Sequence, residues 1–79
     1  MNKTPNSGAE SLEFLKRGQT ATVAYIAAAE STAKRLADIG FVRGAAVTVL
    51  RPGRPCLVRI GPTCVGLGLA LQRCVVVTA

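Results

Sequence analysis

The chain has no histidine and no tryptophan, and Phe14, Tyr25 and Phe41 are its only aromatic residues. Without histidine it lacks the usual general base near neutral pH and the commonest nitrogen ligand of metal ions. Acids are few: Glu10, Glu13, Glu30 and Asp38. No paired carboxylates and no nucleophile beside a base can be read from them, so an enzyme is not expected. Cys56, Cys64 and Cys74 are odd in number and form no C-x-x-C, which argues against a disulfide framework. Long hydrophobic runs are missing as well. Arg59, Pro62 and Arg73 interrupt the apolar C-terminal third, leaving it short of the about 18 residues a membrane helix needs. Met1 to Gly8 is polar and lacks the apolar stretch of a signal peptide. Together these absences point to a reducing cytoplasm.

What is present is mostly Val, Ile, Leu and arginine. Ten Lys and Arg, seven of them Arg, face four acids, for a net charge of +6 over 79 residues. One small domain is the expectation; such a domain buries only about 60% of its unfolded surface, so its large apolar residues must serve the core. The charge suits an acidic partner, whether nucleic acid, anionic lipid or protein, although a solvated surface explains charge alone.

Residues 1–10, rich in Asn, Ser, Gly and Pro, read as a flexible tail, and residues 11–79 as the domain. Ser11 is placed to cap a short turn over Leu12 to Arg17, with Leu12 and Leu15 inward and Gly18 ending it. Thr20 to Ile26 reads as a strand. Ser31 or Thr32 is placed to cap a helix running to about Ile39, with Ala33, Leu36, Ala37 and Ile39 toward the core. Gly40 is the expected stop, followed by Phe41 for the apolar contact that closes such an end. Arg43-Gly44 turns into a second strand, Ala46 to Arg51. Pro52-Gly53-Arg54-Pro55 is a turn, Cys56 to Ile60 a third strand, Gly61 to Cys64 a turn and Val65 to Leu67 a fourth strand. Gly68 to Arg73 suits one helical turn, and Cys74 to Val77 a closing strand with Val75 and Val77 inward. Five short strands and one helix between the first two describe a mainly β, strongly bent SH3-like barrel.

Pairing across the turns sets Arg51 opposite Cys56, Val49 opposite Val58, Val47 opposite Ile60, Ile60 opposite Val65 and Val58 opposite Leu67. Val47, Val49, Val58, Ile60, Val65 and Leu67 then share the core face. Leu50 and Leu57 pair on the outer face, close to Arg51, Arg54 and Arg59. A leucine pair beside arginines is a candidate partner-binding patch. Cys56 is expected inward as a small hydrophobe. Cys64 and Cys74 are left as the candidates for a weak Fe²⁺ or Zn²⁺ thiolate site. Gly66-Leu67-Gly68 lacks the lysine of a phosphate-binding loop.

The order of these pieces resembles the ferrous iron transport protein A (FeoA) family. The resemblance lies in Leu12-x-x-Leu15-x-x-Gly18, Val23 and Ile26, Arg35-Leu36-x-x-Ile39-Gly40-Phe41-x-x-Gly44, Val47-x-Val49 and Val75-x-Val77. It implies a cytoplasmic SH3-like domain with an accessory or regulatory role in ferrous iron uptake. The implied partner is the cytoplasmic part of a FeoB-type membrane G-protein transporter, which would hold the chain peripherally at the inner membrane; a homo-oligomer is left open. The same domain type ends iron-dependent repressors, whose DNA-binding helix-turn-helix this chain lacks. Two segments depart from the usual family pattern: Gly53-Arg54-Pro55 has a base in place of an acid, and Leu67 to Leu71 is apolar. The alternative from another class is a basic SH3-like barrel binding RNA or another acidic partner; against RNA stands the scarcity of stacking aromatics.

Overall fold

A computed structural model describes residues 9–78. The element order is β1 (Ala9–Ser11), a 3₁₀ turn (Leu12–Phe14), β2 (Thr20–Ile26), α1 (Glu30–Ile39), β3 (Ala46–Arg51), β4 (Cys56–Ile60), β5 (Thr63–Leu67), α2 (Leu69–Cys74) and β6 (Val75–Thr78). The strands form one antiparallel sheet in the order β1-β6-β2-β3-β4-β5. The tail expected over residues 1–10 lies outside the described residues up to Gly8. Its last two residues are strand: Ala9 and Glu10 pair with Thr78 and Val77 of β6. β1, the strand not expected from the sequence, is three residues long, too short to show alternation.

Alternation builds the core. Ala21 and Val23 of β2, Val47 and Val49 of β3, Cys56, Val58 and Ile60 of β4, Leu67 of β5 and Val75 and Val77 of β6 are buried. Each follows the two-residue period of a strand with one face inward. Burying a Val or Leu side chain in this way contributes about 1.5–3 kcal/mol. Leu12, Leu15, Leu36 and Phe41 close the core from the loops and the helix. Beyond Val23 the ladder slips: Val23 faces Val77, but Tyr25 faces Val76. The extra residue, Ala24, is a β-bulge that bends β2 between its two neighbours. Tyr25 consequently turns outward, 57% exposed.

The helix ends as the sequence predicts. Gly40 has φ +129°, and its N–H and that of Phe41 donate back to Leu36 O at 3.2 and 3.0 Å. A Cβ on Gly40 would sit 3.4 Å from Ile60 Cγ1, so the glycine serves both the reversed backbone and the close approach to β4. The helix start differs from expectation. α1 begins at Glu30 with Ala29 as its cap residue, and neither Ser31 nor Thr32 caps it. Its buried side is narrower than expected: Leu36 is buried and Ala33 half-buried, but Ala37 and Ile39 are exposed. A ten-residue helix lying on the edge of a small barrel presents only one row of side chains to it. The first turn is also shorter than expected, ending at Phe14, and the Ser11 hydroxyl bonds Glu13 Oε2 at 3.0 Å instead of capping.

Both hairpins shift from the expected pairing. Val47 faces Ile60 and Val49 faces Val58 as expected, but Arg51 faces Leu57, not Cys56. Leu50 is the extra residue of a second bulge. β5 starts at Thr63, so Ile60 pairs with Thr63, Val58 with Val65 and Cys56 with Leu67. The shift is two residues, which preserves the inward face; only Val65 is left half-buried.

Candidate functional site

Charge divides unevenly along the chain. All four acids lie at or before Asp38, and beyond it the charges are Arg43, Arg51, Arg54, Arg59 and Arg73 alone. Arg73 is drawn away: its Nε lies 3.4 Å from Glu13 Oε1, tying α2 to the 3₁₀ turn by a solvent-exposed pair. Exposed pairs of this kind contribute little to stability. Among the described residues Arg51, Arg54 and Arg59 have no acidic partner.

Arg51 and Arg54 stand on the rim of an open groove of about 460 Å³, with Pro52, Gly53, Pro55, Leu57 and Gly66 completing its lining. Each wall has a local cause. Arg51 ends β3 opposite Leu57, the first outward residue of β4, which is 38% exposed. Gly66 lies on the other side of Leu57 in the β4–β5 ladder. A Cβ there would meet Pro55 Cβ at 3.4 Å, so glycine lets the Pro55 ring lie close to the strand. The loop is held from beneath. Gln72 of α2 is only 3% exposed. Its Nε2 donates to Gly53 O at 2.8 Å and to Leu67 O at 2.8 Å. The buried amide ties the exposed loop to β5, and the bond to Leu67 O satisfies a buried carbonyl that water could not easily reach.

Three of the five expected patch residues, Arg51, Arg54 and Leu57, thus meet at one groove. The other two do not line it. Leu50 is half-buried in the bulge and does not pair with Leu57. Arg59 stands one row further along the outer face, opposite Thr48 and Cys64. Gln72 is the residue that sequence reasoning missed. Its signal was available: it is the only amide between Val65 and Val77, a run whose one other strongly polar residue is Arg73.

The cysteines are separate. Cys56 is buried, and burial pushes its thiol above its ordinary pKa. Cys64 is exposed on β5. Cys74 ends α2 half-buried, its Sγ donating to Ala70 O at 3.2 Å. Among the described residues no three of His, Cys, Asp and Glu gather in one place. Neither Cys64 nor Cys74 therefore has the donor set a bound zinc ion requires. Among the described residues the two thiols lie on different elements, with no third donor gathered beside them.

A second, smaller groove of about 130 Å³ runs between α1 and α2, lined by Thr32, Arg35, Leu36, Ile39 and Leu71. Among the described residues no helix is long and apolar enough to cross a membrane.

The fold is similar to that of several solved structures. A crystal structure of an iron uptake regulatory protein, FeoA, superposes with a TM-score of 0.83 at 22% identity, covering 89% of this chain and 96% of that one. The FeoA protein of Chlorobium tepidum gives 0.79 at 34% identity, covering 86% of this chain and 68% of that one. The FeoA of Stenotrophomonas maltophilia, a prokaryotic SH3 domain protein complexed with zinc and suggested to be a ferrous iron transport activating factor, gives 0.77 at 31% identity over 85% and 87%. A manganese-dependent transcriptional repressor also superposes, at 0.83 and 26% identity, but this chain spans only 45% of it. No curated protein matches the chain. The FeoA domain family matches residues 10–79, the same span that carries the six-stranded sheet and the glycine-stopped helix. With an SH3-like barrel in place from Ala9 to Thr78, the chain belongs to the FeoA family.

Proposed function

We propose that this chain is a non-enzymatic accessory protein of ferrous iron uptake that docks on the cytoplasmic part of a FeoB-type membrane transporter. It would work in the cytoplasm, held at the inner membrane by that partner. Family membership supports the uptake role. One observation supports the docking surface: Arg51, Arg54 and Leu57 line a single open groove, and among the described residues no acid pairs with these arginines. An exposed leucine beside free guanidinium groups is the composition of an interface centre with a charged rim.

The test is a titration of the transporter's cytosolic domain with wild-type protein and with Leu57→Asp. Tenfold or greater weakening, about 1.4 kcal/mol, is expected in a mutant whose circular dichroism is unchanged. Unchanged affinity moves the docking surface elsewhere. Deleting the gene while the transporter stays in the membrane is expected to lower ferrous uptake, and unaltered uptake would remove the accessory role. The RNA-binding alternative predicts affinity that falls steeply with salt. The groove has no aromatic lining, and the exposed Phe14 and Tyr25 lie on other elements.

A further inference from the structure

The arginine groove has a composition, a floor and an edge, and together they narrow what it accepts. Arginine stays charged across the physiological range, and its planar fork matches a carboxylate with two parallel hydrogen bonds. Arg51 and Arg54 flank the groove, and Leu57 supplies an apolar floor between them. Beside the floor is β5, which pairs only with β4 and ends the sheet. No further strand covers its outer edge among the described residues, although the Leu67 carbonyl at its end is taken by Gln72; such an edge suits another extended polypeptide. An RNA strand would gain nothing from that edge, and the groove has no ring on which a base can stack.

We infer that the groove formed by Arg51, Arg54, Leu57 and Gly66 is a preformed receptor for an extended acidic segment of a partner protein, one that alternates carboxylate and apolar side chains, and that Gln72 is its positioning residue. The carboxylates meet the two guanidinium groups and an apolar side chain covers Leu57. Gln72 touches no ligand. It holds the Gly53 carbonyl against the Leu67 carbonyl, so the loop bearing Arg54 stands in place before a partner arrives. Prior ordering of this kind lowers the entropic cost of binding. The inference rests on the reading of this face as a docking surface, and it does not require the transporter to be the partner.

The experiment uses the full chain and a fluorescein-labelled hexapeptide alternating glutamate and leucine, read by anisotropy at low salt. Saturable binding is expected, and the same peptide with lysine for glutamate is expected not to bind. The double variant Arg51→Ala with Arg54→Ala should weaken binding by at least about tenfold. Arg17→Ala with Arg43→Ala removes equal charge elsewhere and should leave affinity within about twofold. Equal loss in both pairs, or no loss in the first, overturns the inference. So does tighter binding to single-stranded RNA or to phosphatidylserine vesicles than to the peptide. Gln72→Met should weaken binding by about three- to tenfold through preorganisation alone. If that variant is folded and binds as well as wild type, Gln72 loses its positioning role; if it does not fold, the arginine pairs decide the rest. The transporter's cytosolic domain, titrated with the same variants, separates the two readings. If Arg51→Ala with Arg54→Ala loses the peptide but keeps the transporter, the groove stands and the transporter docks elsewhere. If it loses the transporter but keeps the peptide, docking stands and the acidic receptor falls.

Discussion

The two hairpins that share β4 solve the same problem differently. Between β4 and β5 the chain reverses with two residues, Gly61 and Pro62, and Gly61 takes φ +58°. No backbone or side-chain hydrogen bond from another element reaches that turn among the described residues. Between β3 and β4 the chain uses Pro52 to Pro55, follows a bulge at Leu50, and needs Gln72, nineteen residues away, to bond Gly53. A turn whose conformation is settled by its own residues is complete and featureless. A wider loop leaves space between itself and the sheet, must be held from outside, and in exchange offers a concave surface. The candidate site lies at the second kind of turn for that reason.

Variants that break this contrast should be graded. Gln72→Leu should have the largest effect, about 2 kcal/mol of lost stability in denaturant titration, since the buried Leu67 carbonyl is left without its donor and the loop loses its tether at Gly53. A loss below about 0.5 kcal/mol would mean that the wide loop is as self-sufficient as the tight one. Gly61→Val puts a branched side chain at a positive φ and should cost about 1–2 kcal/mol. It should leave the groove's affinity for an acidic peptide untouched; a change there would show the two turns to be coupled.

Cys56, the first residue after the wide loop, gives a pH signature. Its thiol is buried and titrates above the ordinary value of 9.0 in the folded chain. The unfolded chain therefore loses this proton first, and stability should fall as pH rises above about 9, by less than ~1.4 kcal/mol per pH unit. Below that pH the contribution is constant. Cys56→Ala should be less stable overall, by about 1 kcal/mol for the removed sulfur, but with a flatter alkaline limb. The smallest effect belongs to Arg51→Ala with Arg54→Ala, which should leave thermal stability within about 0.5 kcal/mol of wild type. A large destabilisation would make these arginines part of the scaffold.

The same contrast explains how much was legible in the sequence. Strands, the Gly40 stop and the inward set Val47, Val49, Val58, Ile60 and Leu67 are dictated by neighbours two to four residues apart, and they appear as expected. So do the inward Cys56 and the exposed Leu57 and Arg54. What failed depended on distant partners. The Leu50 bulge shows only in the register of β3 against β4, and no residue type announces it. β1 exists only because β6 lies beside it. Ala37 and Ile39 share the apolar face of α1, yet the barrel is too narrow to cover them. The role of Gln72 requires knowing that α2 passes beneath the 52–55 loop.

The place of β6 carries a consequence for how the domain folds. The four residues Val75–Thr78 lie inside the sheet between β1 and β2, far along the chain from both. β2, β3, β4 and β5 can pair in turn, but the sheet stays open beside β2 until this distant segment docks, and apolar Val23 and Leu12 stay uncovered until it does. Val76→Pro, which removes a donor from the middle of that strand, should therefore leave the whole domain protease-sensitive and not β1 alone.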